Sequence, residues 1–294
     1  MKKILGLFLL LFSMASFCNI KVVCTLPFIS DITKNIAKDK VEITTLVKPT
    51  EDPHYVEAKP SMILSARKCD ILFYNGLDLE IGYLPKIVES SNNQKIQSGK
   101  EGNVDLSQFV SPIEVPSTVD RSMGDIHPLG NPHYLYSPKN IKEVAKGIEY
   151  VLSKFDPQNE TFFKNNLDEF LKKLSAKEEE WKKLNLKGKR VITYHKFLEY
   201  LANEYGFEIV ANIEPKPGIP PSAKHLSSLL ETIKNSKIDI ILVTNVIGEK
   251  EAKYLSEKGG VKMAIIPQDV GGTANSNDWL SMVDFVLKTI SGGN

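Results

Sequence analysis

Four side chains able to bind a metal ion follow or flank apolar runs of the chain. His54 lies in KPTEDPHYVEAKP after the run 41–47, His195 in YHKFLEY after 190–193, and Asp269 in PQDVGG after 261–266. His133 lies in GDIHPLGNPHYLYSP, just ahead of the helix start Ser137-Pro138. In open α/β sheets ligands bind beyond the carboxyl ends of the strands, so side chains at such exits can converge from separate elements. Three neutral imidazoles and one carboxylate make a competent shell for a borderline divalent ion, and zinc suits nitrogen donors well. Pro53 and Pro132 stiffen the backbone beside two of these residues, so less entropy is lost when an ion is held.

The other histidines carry less. His127, in the same loop as His133, is expected as an accessory metal contact or as a loop residue paired with Asp125. His225, in PPSAKHLSSLLETI, falls in the first turn of a helix that Ser222 caps, on an exposed face. Asp278 is expected to cap the last helix.

Such convergence requires a frame. Residues 21–26, 41–47 and 71–74 read as strands alternating with helical stretches 29–38, 60–67 and 79–89, a βαβ pattern. The alternation returns with strands 190–193, 208–211, 238–243 and 261–266 and helices 196–204, 222–235, 250–258 and 277–290. Between the halves, Asp156-Pro157 opens a run to Leu184 with Phe162, Phe163, Leu167, Phe170, Leu171, Leu174 and Trp181 at helical spacing. That predicts one long amphipathic helix, capped by Asp156 and about 40 Å long. No flexible Gly/Ser linker borders it, so it reads as a rigid spine. The expected organisation is a signal peptide over 1–18, an α/β lobe over 19–155, the linking helix over 156–185 and a second α/β lobe over 186–294. Each lobe is a mainly parallel sheet flanked by helices, with the metal site in the cleft between lobes, and residues 102–130 are read as loop.

Lys2 and Lys3 precede an apolar run, 4–12, and the small residues Ser13, Ala15 and Ser16, the layout of a secretory signal. The run is far shorter than the ~20 residues of a spanning helix, and no later segment comes close. The mature chain is therefore expected to be periplasmic or otherwise extracytoplasmic, a monomer without a membrane span of its own, with Cys18 a candidate for lipid attachment. Cys24 and Cys69 each sit in a short apolar run and read as separate buried thiols, a disulfide being the alternative. The formal net charge is +1, and loss of Lys2 and Lys3 lowers it by two, to −1; nothing suggests the basic face that nucleic acid demands.

Signatures of catalysis are missing: there is no His-Glu-x-x-His, no Gly-x-Ser-x-Gly and no Walker-type phosphate loop. A zinc hydrolase needs an open metal position and a general base, and only Glu51 or Asp52 beside His54 could serve as that base. Four protein ligands would close the site, so no enzyme activity is expected.

Taken jointly, VVCTLPFISDI, EDPHYVEAKPS, YNGLDLE, GNPHYLYSP, YHKFLEYLANEYGF, EPKPGIPPSAKHL and PQDVGG resemble the metal-binding solute receptors of zinc and manganese ABC transporters. The matches extend over nearly the whole mature chain. The resemblance implies two α/β lobes joined by one long helix, metal held by His54, His133, His195 and Asp269, and delivery to an ATPase-driven membrane permease. Members with a carboxylate at the third ligand position lean toward manganese and those with histidine toward zinc; His195 therefore points to Zn2+, with Mn2+ or Fe2+ as the alternative cargo and a metal-containing surface adhesin as the other reading. Three departures stand out. The usual NPHxWLDP reads NPHYLYSP, with Ser137 in place of an aspartate; Thr244 and Asn245 stand where a late strand often leads into Glu-Pro; and the histidine-rich insert of many zinc members is reduced to VPSTVDRSMGDIHPLG.

Overall fold

A computed structural model describes residues 19–118 and 127–292. Cys18 and Asp125 lie outside the described residues, as does the signal segment.

The chain builds two four-stranded parallel sheets of the same design. The first comprises β1 (Ile20–Cys24), β2 (Val41–Thr45), β3 (Ile71–Tyr74) and β4 (Asn103–Asp105) in the order β2-β1-β3-β4. The second comprises β5 (Arg190–Thr193), β6 (Glu208–Asn212), β7 (Ile240–Thr244) and β8 (Met263–Ile266) in the order β6-β5-β7-β8. In each sheet the first strand in sequence is central, paired on both sides: Val22 sits opposite Ile43 on one flank and Ile71 on the other, and Val191 opposite Ile209 and Ile240. Strands covered on both faces read as continuous apolar runs, which is why IKVVC and IILVT were legible as strands. β4 is a three-residue edge strand with Val104 as its one apolar residue, too short to show a pattern inside a segment read as loop.

Helices α1 (Pro27–Ala37), α2 (Pro60–Lys68) and α3 (Leu84–Ser91) belong to the first lobe, and α6 (Glu199–Tyr205), α7 (Ala223–Asn235) and α8 (Glu249–Gly259) to the second. Proline occupies the first turn of all three helices of the first lobe, where its missing N–H costs nothing. Ser222 caps α7, accepting from the His225 amide, and Asp278 caps the last helix, α9 (Trp279–Ser291), in a reciprocal box with Ser281. Cys24 and Cys69 are both buried and free.

The link between lobes is the single long helix expected, beginning one turn later than Asp156-Pro157. α4 (Pro138–Phe155) ends at Asp156, one 3₁₀ turn follows over Pro157–Asn159, and α5 runs from Glu160 to Trp181, 22 residues or about 33 Å. The Asp156 side chain accepts from the Asn159 side-chain NH2 and caps no backbone N–H; the helix starts after the turn. α5 buries Phe163, Leu167, Phe170, Leu174 and Trp181 along one face, touching α1 and α4 on one side and α9 on the other. It spans both lobes as a packed strut. The stretch expected to be helical over 79–89 is a turn until Leu84, because Gly76, Leu77 and Asp78 all have positive φ.

Candidate metal centre

His54 is placed by its own neighbour. Asp52 caps the 3₁₀ turn Pro53–Tyr55 by accepting from the His54 amide at 3.0 Å, and the same oxygen meets His54 Nδ1 at 2.7 Å. One carboxylate thus fixes backbone and ring together. Burial pushes the Asp52 carboxyl upward, but hydrogen bonding and charge from His54 outweigh it and hold it below the usual carboxylate range.

His195 follows β5 by two residues, and its Nδ1 meets Glu214 Oε2 at 2.6 Å. Glu214 follows β6, the strand beside β5, is 9% exposed, and also accepts from the Gly218 amide at 2.7 Å. In both histidines the carboxylate on Nδ1 assigns the proton there and leaves the Nε2 lone pair facing the cleft.

His133, 3% exposed, is held through Asn131. The Asn131 side-chain oxygen accepts from the His133 amide at 2.9 Å, while its NH2 donates to Glu114 at 2.9 Å and to the Lys196 carbonyl at 3.1 Å. Asn75 donates to the Pro132 carbonyl at 3.1 Å, and Tyr134 donates to the Asn75 carbonyl at 2.7 Å. The segment bearing His133 is therefore bonded to both lobes.

These elements bring four imidazoles together. His133 and His195 have Nε2 atoms 3.1 Å apart, and His54 and His127 have theirs 3.2 Å apart. Ring centroids lie 5.1 Å apart for His54 and His133 and 5.4 Å for His54 and His195. Burial, with the other imidazoles adding to it, holds His127 down at about 3 and His133 well below the ordinary histidine value, so both stay neutral and able to donate a lone pair. His54, His133 and His195 border a cavity of about 30 Å³ with Asp52, Glu214 and Gln268, room for about one water molecule. A larger cavity of about 440 Å³ lies toward Leu84, Val88 and Asp105 and has no histidine in its lining.

Asp269 is placed differently. It follows β8 and shares the lining of a small recess with His133. Its carboxylate accepts from the Val270 amide at 2.6 Å and from the Phe28 amide, and burial raises it to about 8. Among the described residues, the group of three or more candidate ligands whose donor atoms all lie within 4.8 Å of one another is His54, His127 and His133, without Asp269 or His195. His225 stands apart, its Nε2 3.2 Å from the Asn212 carbonyl.

Sequence reasoning assigned no orienting role to Asp52, Glu214 or Asn131. The first was weighed as a general base, yet it is bound to His54, and Glu51 is bound to Lys59 at 2.7 Å and the Lys48 amide at 3.0 Å. The strand-exit rule applied to β6 would have found Glu214. The departures from the usual motifs have structural counterparts. Ser137 still caps α4 through the Asn140 amide and donates to Glu204. Asn245 ties the lobes, donating to the Pro49 carbonyl at 3.2 Å and accepting from the Gln268 amide at 2.7 Å.

Residues 22–293 match the model of the ZnuA family, described as zinc-uptake complex component A, periplasmic. A metal ABC transporter substrate-binding lipoprotein of Lactococcus lactis subsp. lactis is 28% identical over 285 residues, covering 94% of this chain and 88% of its own. The manganese ABC transporter substrate-binding lipoprotein PsaA of Streptococcus pneumoniae is 27% identical over 291 residues, with 96% and 91% covered. A crystal structure of ZnuA matches with a TM-score of 0.77 at 23% identity, covering 93% of this chain and 98% of that one. The Mn-bound periplasmic metal binding protein from Candidatus Liberibacter asiaticus matches with 0.75 at 22% identity, covering 93% and 99%. At such identities the structural likeness carries the fold, two parallel-sheet lobes with flanking helices.

Proposed function

The chain belongs to the ZnuA family, and on that premise we propose that it is the extracytoplasmic receptor of a metal ABC transporter, holding one divalent ion between its lobes and delivering it to a membrane permease. The observation that carries this reading is the meeting of His54 and His133 from the first lobe with His195 from the second around a cavity of about 30 Å³. Carboxylates on Nδ1 of two of them supply the orienting contact that metal-bound histidines use. A space of that size takes an ion and excludes a molecular substrate.

Zinc is the cargo we favour, because imidazole nitrogens suit it better than they suit manganese, which prefers oxygen. The printed name of the pneumococcal relative supports manganese as the second reading. Two residues compete for the fourth position, Asp269 and His127. The family is one of transport components, and turnover has no part in the reading, since Glu51 and Asp52 are both engaged. Among the described residues no helix is long and apolar enough to cross a membrane. Relatives named as lipoproteins support anchoring through Cys18, and the receptor is proposed to act as a monomer.

The test is a competition titration of metal-stripped mature protein with Zn(II) and Mn(II) against a chelating indicator. One ion bound tightly, with zinc far above manganese, is the expected result. Manganese bound as well as zinc would transfer the cargo assignment, and no tight binding of either would end the receptor reading.

A further inference from the structure

We propose that the first lobe carries a second ligand site, a recess that takes a small organic ammonium with an apolar body. No residue of its lining is among the candidates for holding the metal ion.

The recess has a volume of about 440 Å³, within the ~300–1,000 Å³ usual for small-molecule sites. It lies at the carboxyl ends of β3 and β4, where open α/β sheets take ligands: Tyr74 and Asp105 are the last residues of those strands, and both line it. Every lining residue belongs to the first lobe, so the recess needs nothing from the second. The turn after β3 is held in shape for it. Leu77 and Asp78 are consecutive non-glycine residues with φ 53° and 61°, conformations that persist only where the surroundings fix them. Glu80 fixes them from below, accepting from the Asn75 and Gly76 amides at 2.7 and 3.0 Å and from the Thr25 hydroxyl at 2.7 Å. A side chain at Gly76 would place its Cβ 1.9 Å from Asp105 Oδ1, so the Asp105 carboxylate lies directly against the turn.

Walls and charge together select the ligand. Leu77 and Ile81 of the turn, Leu84 and Val88 of α3, and Leu129 supply apolar surface, and Ile81 and Leu129 are left 66% and 55% exposed. Set among them are the carboxyl groups of Asp78, Glu80, Glu89 and Asp105, and the lining holds no Lys, Arg or His. Asp105 accepts from the Ser107 amide and hydroxyl through one oxygen, at 2.9 and 2.7 Å; the charged group acting on it is Asp78, a like charge. The Tyr74 hydroxyl, pushed up to about 12 by burial, Asp105 and Glu80, has no hydrogen-bond partner among the described residues. A cleft lined by one sign of charge between low-dielectric walls gathers counter-ions. A bare metal ion does not fit the description, because it would leave the apolar walls uncovered and because these carboxylates do not converge on one point as the histidines do. An ammonium joined to an alkyl or aromatic group satisfies walls and charge at once.

The experiment titrates metal-free mature protein with phenethylammonium and with hexylammonium, each beside its uncharged counterpart, phenethyl alcohol and hexanol, and follows binding by amide-resolved NMR. Both amines are expected to bind saturably at about 1 mM or below, with shifts centred on Gly76, Asp78, Val88, Ser98 and Asp105. Each alcohol should bind about tenfold more weakly. Asp78→Asn keeps a residue type that tolerates left-handed backbone, and Asp105→Asn keeps an acceptor for Ser107. Each should weaken the amines by about five- to tenfold and leave zinc affinity within about threefold, with urea melts confirming that both variants fold. Alcohols bound as well as the amines, shifts centred elsewhere, or no saturable binding of either amine would each overturn the proposal. N-acetyl-leucyl-lysine amide bound more tightly than both amines would overturn it in favour of a protein segment. Zinc binding lost in the two folded variants would make the turn part of the metal centre and overturn it as well, whereas the titration of wild type with Zn(II) and Mn(II) alone decides the receptor reading.

Discussion

The Nε2 atoms of His133 and His195 stand 3.1 Å apart, although one residue belongs to the first lobe and the other to the second. That spacing suits two ligands of one ion, and it is kept by independent supports: Asn131 behind His133, Glu214 behind His195. An ion placed there bonds the lobes to each other.

Removing one side of this pair should cost binding and spare the fold. His195→Ala is expected to weaken zinc by about 100-fold or more, with the urea midpoint of the metal-free protein little changed. Indicator competition and a urea titration on the same preparation check both halves.

The Glu214 carboxylate acts on the ion through the ring of His195. Glu214→Gln keeps the shape and loses the charge that fixes the Nδ1 proton, so zinc affinity should fall by about 10–100-fold while His195 remains bound. Loss as large as in His195→Ala would mean that Glu214 is itself a ligand.

Asn131 holds the loop of His133 against Glu114 and the Lys196 carbonyl. Asn131→Ala leaves the His133 amide without its acceptor and should lower stability by about 1–3 kcal/mol. Zinc should also dissociate faster, measurable by chelator chase in a stopped-flow instrument.

Burial raises the Glu80 carboxyl to about 7 from an ordinary value of 4.5. The folded state therefore holds this proton more tightly than the unfolded chain, so the contribution is fully present below pH 4.5 and is lost as pH rises toward and through 7. Glu80→Gln cannot ionise, and its stability relative to wild type should improve between pH 5 and pH 8 by of order 2–3 kcal/mol. Parallel urea melts at those two values test it; a difference independent of pH would refute the burial argument.

The strand exits made His54, His195 and Asp269 legible, since each follows an apolar run that a covered parallel strand requires. Their partners were less so. Glu214 lies on the exit of β6, a strand whose pairing with β5 is a matter of topology. Asp52 orients His54 from two residues away, a local contact that spacing could have suggested. His127 reads only as an accessory contact or a loop residue, because its approach to His54, with Nε2 atoms 3.2 Å apart, depends on how the loop folds and leaves no mark in spacing. The Asp156-Pro157 boundary was legible, and only the 3₁₀ turn that moves the start of α5 to Glu160 was not, because it leaves no mark in the hydrophobic spacing.

The last helix crosses back to the first lobe. Trp279, fully buried, donates its indole N–H to the Leu135 carbonyl at 2.6 Å, and its amide bonds Asp31 of α1 at 3.0 Å. These partners are separated from Trp279 by 144 and 248 positions. At a synthesis rate of at most about 20 residues per second, Leu135 waits roughly 7 s for its partner. The face of α1 that meets α9 stays open for longer, so the first lobe is finished by residues made long after its own, and a chain clipped before Trp279 would lose both contacts at once.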